Sequence, residues 1–185
     1  MAKTPALPPL SDADWPDSIA DMRDGFAGAL NVYRTMARHP DLLRAWAPLR
    51  EHIVRRTALG PVRAEMVILR AGHRLGSPYE WTQHVLRARK VGLTDEEIAS
   101  LRGPVAAMRP EPALFARAVD ALIDHSRLDA DLRSAIIAEV GEPGLIDLLA
   151  TVGFYSTLGF LLNTTETPLD DDAAEAIKQA PFTQP

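Results

Sequence analysis

Residues 65–84 constrain this chain more than any other stretch. The first half reads as a helix that is apolar on nearly every side, through Val62, Met66, Val67, Ile68, Leu69 and Ala71, with Glu65 set in the middle of that surface. A helix that is apolar all round is a buried helix. A carboxylate inside it is costly unless it is hydrogen-bonded or serves a purpose. The second half opens with Ser77-Pro78-Tyr79-Glu80, which has the form of a capping box with proline at the first helical position, so a new helix starts there. On that helix Glu80 and His84 are one turn apart and point the same way. The pattern predicts a helical hairpin, over about 61–75 and 78–91, that gathers two carboxylates and an imidazole.

The rest of the chain supports the same fold class. Ala, Leu and Arg are abundant and β-branched runs are nearly absent, so helix is favoured throughout and an all-α fold is expected. At 185 residues one domain is expected, occupying 16–163. Residues 1–15, rich in proline, are expected to form an extended N-terminal arm that wraps a neighbour. Residues 164–185 are expected to be a polar C-terminal tail with a short helix near 171–179. Within the domain, periodicity and caps predict helices over about 16–37, 41–56 (capped by Asp41), 95–102 (a capping box from Thr94), 111–125, 130–140 (capped by Asp129) and 142–163. Gly76 is placed to be a left-handed residue closing the first hairpin helix.

Several functions are disfavoured on composition. The net charge of -5 and a pI near 5.5 leave no basic face for a nucleic-acid partner. Seventeen of the 20 cations are Arg, which suits bidentate recognition of carboxylates, although a GC-rich genome produces the same bias. Cysteine is absent, which removes disulfides, thiolate metal sites and any thiol nucleophile. The N-terminus shows neither a signal-peptide core nor a transit pattern, so a cytoplasmic location is expected. The apolar run 145–162 has the length of a membrane span, but it contains Asp147, Thr151, Tyr155, Ser156 and Thr157 without flanking cations, so a core helix is expected and no membrane partner. No Gly-rich phosphate loop points to nucleotide chemistry.

The order Glu65, Ser77, Glu80, His84 resembles the signature of the carboxymuconolactone decarboxylase / AhpD-like family, in which a Glu, a Cys-x-x-Cys pair and a His stand at these separations. Ala88-Arg89-Lys90-Val91-Gly92-Leu93-Thr94-Asp95-Glu96-Glu97-Ile98 resembles that family's continuation past the His. Tyr79-Glu80-Trp81-Thr82-Gln83-His84, with Asn31-Val32-Tyr33-Arg34 and His39-Pro40 before it, is similar to a Cys-free branch. The resemblance covers about residues 20–105. It implies an AhpD-like helical bundle, assembly into a homo-oligomer, and a site near the start of the His-bearing helix, partly built at a subunit contact. Ser77 and Glu80 stand where the family has its cysteines, so the thiol peroxidase and disulfide reductase chemistry of the AhpD branch cannot operate.

What the resemblance leaves is the cofactor-independent, decarboxylase-like chemistry. His84 is the first candidate for general acid or base, with Glu65 tuning or relaying its proton. Glu80 either orients substrate or serves only as the back-bonding partner of the cap. Tyr79 and Trp81 are candidates for substrate binding, against plain core packing. Arg70, with Arg63 and Arg87 as its rivals, is the candidate to hold a substrate carboxylate. His73 is read as a solvated helix-end residue. The expected function is a lyase or isomerase acting on a small carboxylated or carbonyl-bearing cyclic metabolite, with no cofactor and no metal. The alternatives are a non-catalytic ligand-binding or assembly protein and, further off, a metal-dependent hydrolase or lyase using the same carboxylates.

Overall fold

The computed structural model describes residues 7–182. The described chain contains ten α-helices and no strand: α1 Ala20–Arg23, α2 Phe26–Ala29, α3 Asn31–Met36, α4 Pro40–Glu51, α5 Pro61–Arg74, α6 Pro78–Lys90, α7 Asp95–Ser100, α8 Pro110–His125, α9 Ala130–Thr165 and α10 Asp171–Gln179.

The all-round apolar character of α5 puts it at the centre. Ala64, Val67 and Ala71 pack with α8 and the first part of α9, around Phe115, Val119, Ile136 and Leu148. Met66 and Leu69 pack with α6 and α7, around Trp81, Val85 and Ile98. Ile68 joins the N-terminal helices and the far end of α9, around Ile19, Tyr33, Leu43 and Leu158. Burying each large side chain is worth about 1.5–3 kcal/mol, so a helix shared by three cores is fixed from every side. At the end of the hairpin α5 and α6 approach closely, because Gly72 has no side chain: a Cβ there would lie 3.3 Å from that of Glu80. Gly76 has the left-handed φ of 59° expected of it.

Three stretches differ from expectation. The stretch 16–37 is a short 3-10 turn (Asp17–Ile19) followed by α1, α2 and α3, broken where Gly25 and Leu30 are extended. The breaks turn Ile19, Met22, Ala27, Val32 and Tyr33 into one core, which a single straight helix would not do. The cap of α4 is His39 rather than Asp41: its Nδ1 accepts the Leu42 N–H at 3.4 Å, with Pro40 as the first helical residue. After α4 the chain widens into a π-helical turn, His52–Arg56. Asp147, the charge within the long apolar run, holds the far side of that turn: it accepts the Ala58 N–H at 2.6 Å and meets His52 Nε2 at 2.7 Å.

The run itself is a core helix. α9 is interrupted at Gly141 (φ 71°, ψ 178°), a conformation essentially restricted to glycine, and Pro143 then starts its second segment. Leu145, Leu148, Val152, Tyr155, Leu158 and Leu162 on that segment are buried, while Ile146, Leu149 and Phe160 are exposed. Both ends of the described chain join the body. Arg34 and Arg38 hydrogen-bond the carbonyls of Leu10 and Pro8, so the arm from Pro8 onward lies against α3 of its own chain; residues 1–6 lie outside the described residues. At the other end Asp170 is buried and α10 packs on α6, so the described part of the expected tail is folded against the hairpin; residues 183–185 lie outside the described residues.

Candidate active site

The hairpin brings Glu65, Glu80 and His84 together. His84 Nδ1 lies 2.6 Å from Glu65 Oε2, and Nε2 lies 3.4 Å from Glu80 Oε2. The imidazole is thus clamped between carboxylates, one from each helix. The side chains of His84 and Glu80 are 3% and 4% exposed and that of Glu65 is 13%, so Glu65 is the one that reaches outward. Ser77 Oγ accepts the Glu80 N–H at 3.5 Å, but the Ser77 N–H goes to the Gly72 carbonyl at 2.9 Å. Only half of the expected capping box forms, which leaves the Glu80 carboxylate for His84. Thr94 and Glu97 form the complete box that the sequence predicts.

Above the clamp is a cavity of about 270 Å³. Its walls are the π-helical turn and the residue after it (Ile53, Val54, Arg55, Thr57), Pro61, Ala64, Glu65 and Ile68 of α5, Arg87 of α6 with Val91 just past its end, and Tyr155 of α9. Glu65 lines it; His84 and Glu80 lie behind. Tyr155 meets His84 edge to face at 5.0 Å between ring centroids.

Electrostatics follow from this burial. Burial is the largest single influence on His84 and pulls an imidazole pKa down. The Glu65 charge and hydrogen bond, with the Glu80 hydrogen bond, outweigh it, so His84 holds its proton above the ordinary range. Burial raises the Tyr155 phenol well above its ordinary value, helped by the Glu80 charge, and pushes Tyr33 up to about 12. Burial opposes the Arg87 cation, but Tyr155, Glu65, Tyr33 and Glu80 together hold it above its ordinary value.

The other residues singled out in the sequence lie elsewhere. Arg70 is a bridge between helices: its guanidinium binds Asp120 at 2.8 and 2.6 Å and the carbonyls of Leu101 and Gly103, which commits four of its five N–H donors within the protein. Arg63 pairs with Glu111 at 2.8 Å, so of the three arginines weighed in the sequence Arg87 alone is on the cavity wall, which it shares with Arg55. The Tyr79 hydroxyl donates to Asp170 at 2.5 Å. Tyr79 borders a separate depression of about 340 Å³ that contains no member of the clamp. Trp81 lies under the Arg102 guanidinium at 3.8 Å, with His73 and Phe182 at its edges. His73 is partly buried rather than solvated. Tyr155 and Arg55 are cavity residues that sequence reasoning missed. Among the described residues no group of three or more His, Asp or Glu is arranged to hold a metal ion.

A family model of the carboxymuconolactone decarboxylase family matches residues 40–124, which include Glu65, Glu80 and His84. This segment is a carboxymuconolactone decarboxylase family segment. The family segment thus holds the whole hairpin, while Tyr155 lies beyond it. The fold is AhpD-like. A structure of an alkylhydroperoxidase AhpD core, an uncharacterized peroxidase-related protein from Ralstonia eutropha JMP134, superposes with a TM-score of 0.77 at 17% identity, over 94% of this chain and 96% of that one. An uncharacterized peroxidase-related protein from Silicibacter sp. TM1040 gives 0.75 at 14% identity, over 94% and 97%. The debrominase Bmp8, as a cysteine-to-alanine variant in complex with 2,3,4-tribromopyrrole, gives 0.71 at 14% identity, over 97% and 99%. None of the curated proteins matches this chain in sequence.

Proposed function

We propose that this protein is a cofactor-independent lyase or isomerase that moves protons on a small carboxylated or carbonyl-bearing cyclic metabolite. The observation that carries the reading is that Glu65 both lines the cavity and hydrogen-bonds His84. This exchanges the roles expected from sequence: Glu65 faces the substrate as acid or base, and the protonated His84 behind it donates to Glu65 and holds its carboxylate in place. Glu80 fixes the second ring nitrogen, so the imidazole keeps its orientation as charge moves. Arg87 is the cation for a substrate carboxylate or oxyanion. The cavity lies at the small end for ligand sites, which suits a single ring, and Bmp8 holds a small ring on a similar fold. With cysteine absent, these groups supply proton transfer without sulfur chemistry. Its partners are a small molecule and further copies of the same chain, through the exposed Ile146, Leu149 and Phe160 of α9.

The test is ¹H NMR in D₂O on a panel of five- and six-membered lactones and enones bearing a carboxylate, with no cofactor added. The wild type is expected to exchange, shift or decarboxylate at least one, and Glu65→Gln to do none of these while remaining folded. Tight binding of panel members without deuterium uptake or CO₂ release would favour the non-catalytic alternative. Turnover unchanged in Glu65→Gln would overturn the assignment.

A further inference from the structure

We propose that Tyr155 is a further catalytic residue, whose hydroxyl donates a hydrogen bond to the substrate oxygen that becomes negative when Glu65 exchanges a carbon-bound proton. The inference rests on the reading of Glu65 given above and adds the group that reading lacks. When a carboxylate removes a proton from carbon beside a carbonyl, the C–H electron pair moves onto the carbonyl oxygen and the proton stays on the carboxyl. For a double-bond shift, the protonated Glu65 returns that proton to the far carbon and the carbonyl re-forms. For loss of CO₂, the C–C bond breaks with its pair moving onto the same oxygen as CO₂ leaves, and Glu65, protonated beforehand from water, gives that proton to the new C–H bond and is reprotonated by water. Both routes place transient negative charge on one oxygen inside a buried cavity, where a fixed donor is worth far more than in water.

Tyr155 fits that duty on three grounds. It lines the same cavity as Glu65 and Arg87, so donor, base and cation face one space. Its ring is held edge-on between His84 at 5.0 Å and Phe154 at 5.3 Å, and the residue is 3% exposed, so the hydroxyl is preorganised. Burial keeps the phenol protonated at neutral pH, so it donates without surrendering its proton. The chain has three tyrosines. Tyr79 is held by Asp170, Tyr33 is not on the cavity wall, and Tyr155 is.

The probe is 4-nitrophenolate, a planar ring whose oxygen carries the charge of an enolate and whose absorbance reports its protonation. Wild-type protein is expected to bind it with a shifted absorbance, and Tyr155→Phe to bind it about ten- to a hundredfold more weakly, as befits loss of a hydrogen bond to a charged acceptor. Glu65→Gln is expected to bind it at least as tightly as wild type, because a like charge beside the probe is gone. If Tyr155→Phe does not fold, ¹³C-tyrosine labelling of the wild type reads the same contact: of three Cζ signals, the one from Tyr155 should move on adding probe. Equal binding by Tyr155→Phe, an unmoved Cζ signal, or no binding by the wild type would overturn the role of Tyr155 while leaving the Glu65 reading intact. Proton exchange persisting in Glu65→Gln, with the Tyr155 effect present, would sink the Glu65 reading alone.

Discussion

Glu65→Gln preserves the length of the side chain and a hydrogen bond to His84 but can neither take nor give a proton. In the D₂O assay its rate is predicted to fall about 100- to 10,000-fold, the usual worth of a positioned acid or base, with the circular dichroism spectrum unchanged. The members of this clamp were legible in the sequence because helical spacing fixes their geometry. Glu80 and His84 share a face by periodicity, and Glu65 is a charge on an apolar helix that needs a partner. The cavity wall was not legible. Arg70 looked available because its partner Asp120 stands 50 residues away. Tyr155 looked like one polar interruption among many in an apolar run, and only the packing of α9 against α5 brings it to His84. Glu80 matched the pattern of a cap, yet the Gly72 carbonyl took the N–H it would have served.

The helices whose ends carry strong local chemistry were readable to within a residue or two: Pro61, Ser77-Pro78, Thr94 and Asp129 all start elements where expected. Elements shaped by distant contacts were not. The π-helical turn that roofs the cavity depends on Asp147, 89 residues from Ala58. α10 is docked by Asp170, which accepts the Asn31 N–H at 2.6 Å, the Tyr79 hydroxyl at 2.5 Å and Gln83 Nε2 at 2.5 Å. Asp170→Ala leaves those buried donors without their acceptor, so it should destabilise the protein by about 2–4 kcal/mol. Chemical denaturation at unchanged m checks this; a change below about 0.5 kcal/mol, the range of an ordinary surface substitution, would show that the dock contributes little.

At the scale of the whole molecule, three cores share α5, and the same burial that stabilises the bundle sets the protonation of its interior. The apolar residues left outside on α9 predict self-association. Light scattering should give a mass above one chain, and Phe160→Asp should lower it. The most direct test of the clamp is the unfolding free energy of wild type against His84→Gln from about pH 5 to about pH 9. His84 has a folded pKa above its ordinary 6.5. Its stabilising contribution is therefore complete below that value and is lost as pH rises through the raised folded value. The wild-type advantage over His84→Gln is predicted to narrow steadily toward alkaline pH. An advantage that instead widens with pH, as a buried neutral imidazole would give, would contradict a proton held between Glu65 and Glu80.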